Sequence, residues 1–213
     1  MNTITLEKPV LRVVMGNTKL GRQIPNVNLP AIQTCRKDAP CKKGCYACHG
    51  NFLYESVARA HQRNLAAYRD DPKAFFKVIT DFLLNGMTTY KFFRWHSSGD
   101  IVDAAYLEGM VKVAKKCPRT QFLAFTKKFE LVNHYLSTGK TFPRNLHIVF
   151  SAWDKDFHFS NPYNLPVTYV DFKHKEMNSP DIPENPFVCP GSCEQCQRCW
   201  KMKSGDAVVF HQH

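Results

Sequence analysis

Apolar positions along this chain recur at two periods, and the switches between them lay out its elements. Val10 to Met15 is a short β-branched run ended by Gly16-Asn17, which predicts a first strand closed by a turn. Asn51 to Arg69 predicts an amphipathic helix, with Phe52, Leu53, Val57, Ala60 and Leu65 near one face. Asp71-Pro72 starts a second helix, with Asp as N-cap and Pro in the first turn. It carries Phe75, Phe76, Ile79, Phe82 and Leu83 and stops at Gly86. Thr88 to His96 reads as a strand that exits into Ser97-Ser98-Gly99-Asp100. A third helix follows, with Val102, Ala105, Tyr106, Met110 and Val113 on one face. Gln121 to Thr126 is a strand, Lys128 to Leu136 a helix closed by Gly139, and Leu146 to Ser151 and Val167 to Phe172 are strands. Ala207 to Phe210 is a last short strand.

Strands alternating with helices predict an α/β fold on a mainly parallel sheet, as a single domain over residues 1–213. In such sheets ligands bind beyond the carboxyl ends of the strands. The polar residues gather there: a cysteine loop after the first strand, His96 to Asp100 after the second, Thr126-Lys127-Lys128 after the third and Ser151 to Asp154 after the fourth. Residues 178–204, rich in proline and cysteine, read as a loop insertion before the last strand.

Cysteine is where the chain departs from an ordinary globular composition. Cys35, Cys41, Cys45 and Cys48 lie in one short stretch, the last three spaced C-x3-C-x2-C. Cys189, Cys193, Cys196 and Cys199 form a second run, and Cys117 stands alone before Pro118 as a buried, unligated thiol. Thiolates this close in sequence can converge on one metal. Four readings fit the first run: a 4Fe–4S cluster held by three cysteines, a closed zinc site, disulfides, or unligated thiols. Disulfides need an oxidising compartment, and the residues after Met1 do not read as a secretory leader. Nine cysteines also pair badly. The second run suits a second 4Fe–4S cluster or zinc, shielded by Arg198 and Trp200; one of its thiols could instead complete the first cluster. His49 beside Cys48 is a weaker ligand candidate.

A chain of 213 residues with 44% apolar content can build a core without cysteine staples. No run approaches the roughly 18 apolar residues of a membrane helix. The expectation is a soluble, cytoplasmic protein with no membrane contact. A net charge of +11, from 29 Lys and Arg against 18 Asp and Glu, favours nucleic acid or another polyanion as partner, although the lysines form no dense tract. Gly16 to Gly21 holds two glycines but lacks the Gly-Lys-Ser/Thr of a phosphate loop.

The C-x3-C-x2-C spacing resembles the signature of radical S-adenosylmethionine enzymes. That resemblance implies a partial (β/α) barrel of about six strands. In that family three cysteines bind a 4Fe–4S cluster, and the fourth iron takes the amine and carboxylate of S-adenosylmethionine, a small-molecule cosubstrate whose sulfonium the cluster cleaves. Ser98, Gly99 and Asp100 stand where the family holds the methionine amine. Asp100 is the ammonium acceptor by this resemblance and a helix N-cap by local sequence. Lys127 and Ser151 are further cofactor contacts, and His96 is the candidate for proton transfer beside Asp100. Ala47 stands where the family places an aromatic residue, and Cys45-Tyr46-Ala47 also permits a ligand set of Cys35, Cys41 and Cys45 with Cys48 spare or fourth.

A resemblance to the phage "gene product 88" family covers more of the chain. It is carried by Gly16-Asn17-x-Lys19-Leu20-Gly21, Leu29-Pro30-Ala31, Cys45-Tyr46-Ala47, Arg94-x-His96-x-Ser98-Gly99-Asp100, Phe125-Thr126-Lys127 and Cys196-x2-Cys199-Trp200. Two function classes follow: an iron–sulfur enzyme using S-adenosylmethionine, with nucleic acid as a candidate substrate, or a non-catalytic protein that binds nucleic acid or a host protein with clusters or zinc as staples.

Overall fold

The computed structural model describes residues 9–86, 89–153, 158–171 and 186–211. Its strands are β1 (Val14–Met15), β2 (Pro25–Val27), β3 (Phe92–Trp95), β4 (Gln121–Thr126), β5 (Leu146–Ser151), β6 (Val167–Asp171), β7 (Phe187–Val188) and β8 (Ala207–His211). The α-helices are α1 (Glu55–Asp70), α2 (Pro72–Asn85), α3 (Ala104–Lys116), α4 (Phe129–Ser137) and the single turn α5 (Cys193–Cys196). The strands form one open sheet in the order β1-β2-β3-β4-β5-β6-β8-β7, parallel throughout except for β1.

From β2 to β6 each parallel strand joins beside its predecessor, so successive crossovers stay on one face. The residues obey this. Phe93, Trp95, Phe122, Ala124, Ile148, Phe150, Tyr169 and Val209 share a buried cluster with Leu65, Phe75, Ile79, Tyr106, Met110, Phe129 and Val132 of the helices. Their neighbours one residue along, Phe92, Leu123, Val149 and Val208, face the other way and pack with Leu20, Ile24, Trp200 and Met202. A strand side-chain period of two separates the faces. Helices therefore cover one side, and the turn around Leu20 and the C-terminal cysteine run cover the other.

The predicted α/β class and mainly parallel sheet hold, on eight strands rather than about six and in an open sheet of partial-barrel character. Several boundaries differ. Only Val14–Met15 of the run starting at Val10 is strand, and it pairs antiparallel at the edge. The cysteine loop follows β2, which Pro25 and Pro30 concealed. Pro25 takes the first strand position, where a missing N–H is tolerated. The predicted helix from Asn51 begins at Glu55, because 3-10 turns carry the chain through Leu53, whose side chain is exposed. Thr88, the predicted start of the second strand, and part of the insertion, 178–185, lie outside the described residues. The rest of the insertion is not a plain loop: it supplies β7 and α5.

Local chemistry sets the helix starts. Asp71 Oδ1 accepts from Ala74 N at 2.9 Å, and Asp103 Oδ1 accepts from Tyr106 N at 2.8 Å. Asp103, not Asp100, is thus the N-cap of α3. Gly109 lets α2 approach α3, since a Cβ there would collide with the Phe76 ring. No helix among the described residues is long and apolar enough to cross a membrane.

Candidate functional site

The cysteine loop is pinned to the ends of the central strands by a polar staple. Asn28 Oδ1, just past β2, accepts from Ser97 N at 2.7 Å and Ser98 N at 3.3 Å. Ser98 Oγ donates to Leu29 O at 3.0 Å, and Leu29 N donates to Ser98 O at 3.0 Å. Thr34, next to Cys35, donates its hydroxyl to Pro30 O at 2.9 Å and accepts from Asp100 N at 3.0 Å. Gly99 has φ +84, and a Cβ on it would lie 2.7 Å from Thr34 Oγ1 and 2.8 Å from Leu29 O. Ser98 and Gly99 therefore lock the loop after β2 against the loop after β3.

Asp100 is buried and carries the staple to the next strand. Its Oδ1 accepts from Ile101 N and Thr126 Oγ1, both at 2.7 Å, and its Oδ2 from Lys127 N at 3.0 Å. Burial raises its pKa; these three hydrogen bonds and the Lys127 charge oppose that. A carboxylate offers about four acceptor sites, so one on Oδ2 remains. Lys127 Nζ donates to Ser151 Oγ at 2.7 Å and lies 6.0 Å from the Trp153 ring centroid.

All nine cysteines are free thiols. Burial first, and the Asp100 charge second, push the Cys35 thiol up to about 11. Burial also raises Cys41 and Cys45, and the Lys127 ammonium opposes both shifts. Cys35 in turn feels Cys41 and Cys45, and Cys48 N donates to Cys45 O at 2.8 Å. The structure thus gathers Cys35, Cys41, Cys45 and Cys48 with Asp100 and Lys127. Tyr46, whose ring is exposed, turns its hydroxyl inward to donate to Ser97 O at 2.5 Å.

Cys189, Cys193 and Cys199 pack against the other face of the sheet with Phe125 and Phe210. Cys193 N donates to Lys19 O at 2.8 Å, Cys189 N to Val209 O at 2.8 Å, and Trp200 Nε1 to Phe93 O at 3.2 Å. Burial pushes the Cys199 thiol up to about 12, and the Arg94 charge opposes it. Among the described residues no three Cys, His, Asp or Glu side chains stand in metal-binding geometry. The donor chemistry of both runs nevertheless fits a thiophilic metal: four thiols each, half-buried, with a lysine or arginine in electrostatic reach. Loading would have to displace thiol protons and draw the sulfurs together.

His96 stands apart from the thiols. Its φ is +58, its Nε2 is 3.0 Å from Tyr106 Oη, and its ring packs beside Trp95 on the helix face. Burial first, then the Arg94 and Lys128 charges, lower its pKa to about 3, so the ring is neutral. Among the described residues its Nδ1 is buried without a hydrogen-bond partner, as are Trp95 Nε1 and Ser97 Oγ. Below the ordinary 6.5 the unfolded chain binds a proton that folded His96 refuses, so stability falls as pH drops from about 6.5 towards about 3. His61 and His147, also lowered by burial, act in the same direction. His96→Gln is expected to flatten part of this fall. Urea midpoints of metal-free protein at about pH 7 and about pH 5 check it; an unchanged difference between the two would refute it.

Asn28 and Thr34 were not singled out in the sequence. The one signal was the Asn26-x-Asn28 repeat beside prolines, which also reads as a turn. The buried thiol expected at Cys117 is buried, as are Phe92, Phe93 and Trp95.

The family model for gene product 88 matches residues 9–202, and the chain belongs to that family. No curated protein and no solved structure matches it.

Proposed function

We propose that this protein is a thiolate-ligated iron–sulfur protein whose first centre, at the strand ends, takes a small amine- and carboxylate-bearing cosubstrate of the S-adenosylmethionine type. The observation that carries this is the staple running from Thr34 through Asp100 to Thr126 and Lys127. It holds Cys35 beside the ends of β3 and β4, and the Lys127 charge acts on Cys41 and Cys45. Cys35, Cys41 and Cys45, with Cys48 adjoining, would hold the first centre, and Cys189, Cys193, Cys196 and Cys199 the second. When bound, a 4Fe–4S cluster supplies single electrons and, with three thiolates, an open iron.

The chain's own residues supply binding and orientation. Lys127, held by Ser151, offers a cation to a carboxylate, and the remaining acceptor site of Asp100 suits an ammonium. Ser98 and Gly99 act on the backbone of the loop. His96, neutral and packed on Tyr106, is assigned no proton step. The net charge of +11 supports a polyanionic substrate or partner such as nucleic acid. The turn in which Cys48 N donates to Cys45 O at 2.8 Å keeps Cys48 next to Cys45 and favours a second reading, in which a fourth thiolate closes the first centre. The centre, iron–sulfur or zinc, is then a staple or an electron carrier in a binding protein.

The test is anaerobic purification with iron, acid-labile sulfide and zinc analysis. Iron and sulfide are expected in comparable amounts, Cys45→Ala is expected to remove one centre, and Cys117→Ala neither. A colourless protein holding only zinc after cluster reconstitution would sink the iron–sulfur reading. Equal metal loss in Cys117→Ala would sink the ligand assignment. Titration of S-adenosylmethionine into the reduced protein then separates the two readings: a changed electron-spin signal supports the open centre, and an unchanged one at millimolar cosubstrate the closed one.

A further inference from the structure

Arg94 is a buried cation with no fixed counter-charge among the described residues. It sits on β3 between Phe93 and Trp95, which face the helices, so its side chain enters the opposite face. Only 9% of it is exposed. The guanidinium carbon lies 4.1 Å from the centroid of Phe125, a ring packed against the same buried cluster as Cys189, Cys193 and Cys199. Its Nε donates to Trp95 O at 3.1 Å, and one terminal nitrogen reaches His96 O at 3.5 Å. Both partners are neutral carbonyls. Among the described residues no carboxylate forms an ion pair with it; the groups that act on its charge are the Tyr46 hydroxyl and the Cys193 and Cys199 thiols.

A guanidinium in this position is costly unless something negative is buried with it. Four cysteine thiolates on one divalent ion, or on a cluster core of the same charge, leave a net double negative charge. That would place the missing counter-charge beside Arg94 and the Phe125 ring.

We infer that Arg94 is the resident counter-cation of the C-terminal four-cysteine centre, a positioning residue that favours the loaded, anionic form. This rests on the reading of Cys189, Cys193, Cys196 and Cys199 as a metal site. It accounts for a charge that packing alone leaves unexplained.

The consequence is a stability effect whose sign depends on loading. In metal-free protein Arg94→Met removes an uncompensated cation and keeps an apolar stem against Phe125, so its urea midpoint should equal or exceed that of the wild type. With zinc bound, the same substitution should lower the midpoint and weaken zinc binding about 10- to 100-fold, in the range found for residues that support metal ligands. Arg94→Lys keeps the charge and should retain most of the affinity. The experiment uses full-length wild type, Arg94→Met and Arg94→Lys, with zinc as the probe. It measures chelator competition and urea unfolding with and without zinc, and Cys199→Ser identifies the C-terminal share of the bound metal. Equal affinity in wild type and Arg94→Met would overturn the inference and leave the metal site standing, as would equal destabilisation of the metal-free and loaded forms. A wild type with no Cys199-dependent zinc or iron, after reconstitution with either, would overturn the metal reading and the inference together.

Discussion

Asp100→Ala is expected to lower the unfolding free energy by about 3–5 kcal/mol, the range for breaking a buried, hydrogen-bonded charge network. The substitution leaves Ile101 N, Thr126 Oγ1 and Lys127 N without their acceptor, on the ends of two strands and the loop between them. Each lost buried partner costs about 1–3 kcal/mol. Removing a desolvated carboxylate returns part of that, which keeps the total below the sum. The staple also holds the loop before Cys35 through Thr34, so metal retention in the first run should fall with stability. Asp100→Asn keeps one acceptor but sets an amide donor against another N–H, and should land between wild type and Asp100→Ala. Urea unfolding of the three proteins checks this order. An Asp100→Ala protein as stable as the wild type, with weakened cosubstrate binding alone, would show that Asp100 serves the ligand rather than the loop.

Gly21→Val is expected to dislodge the C-terminal run, at a cost of about 2–4 kcal/mol. Gly21 has φ +87, which a β-branched residue adopts only with strain. A Cβ there would also lie 2.5 Å from Glu194 Cβ and closer still to its carboxylate, inside α5. Glu194 follows Cys193, whose N–H is bonded to Lys19 O, so the displaced atoms belong to the docked cysteine turn. Gly139 separates the two causes. Its φ is +78 and nothing lies within 4 Å of its Cβ position, so Gly139→Val reports the left-handed strain alone. Gly21→Val should exceed it in lost stability and should lose the Cys199-dependent metal while the first centre persists. Equal losses in the two variants would mean that the turn does not cradle α5.

Much of the scaffold was written in local sequence. Phe75, Ile79 and Leu83 at helical spacing fixed α2, and Asp71-Pro72 fixed its start, because capping and amphipathicity act within a turn or two of chain. The short apolar runs in Gln121–Thr126 and Leu146–Ser151 likewise placed β4 and β5 to the residue. Both cysteine runs were legible in residue spacing alone, and the clustering of Asp100, Lys127 and Ser151 at strand ends followed from strand order, since parallel strands bring their exits together. What tertiary structure alone decided depends on contacts far apart in the chain. Local sequence hid β2 behind its prolines, and only pairing of Asn26 and Val27 with β3 makes it a strand. Asp100 and Asp103 are equivalent as caps until the helix start selects one and Thr126 claims the other. The Gly16–Gly21 turn resembled nothing functional because its partner, Glu194, lies at the far end of the chain. Arg94 stood in the sequence only as part of a family motif until the sheet turned it inward, where its charge is desolvated against Phe125 and two backbone carbonyls.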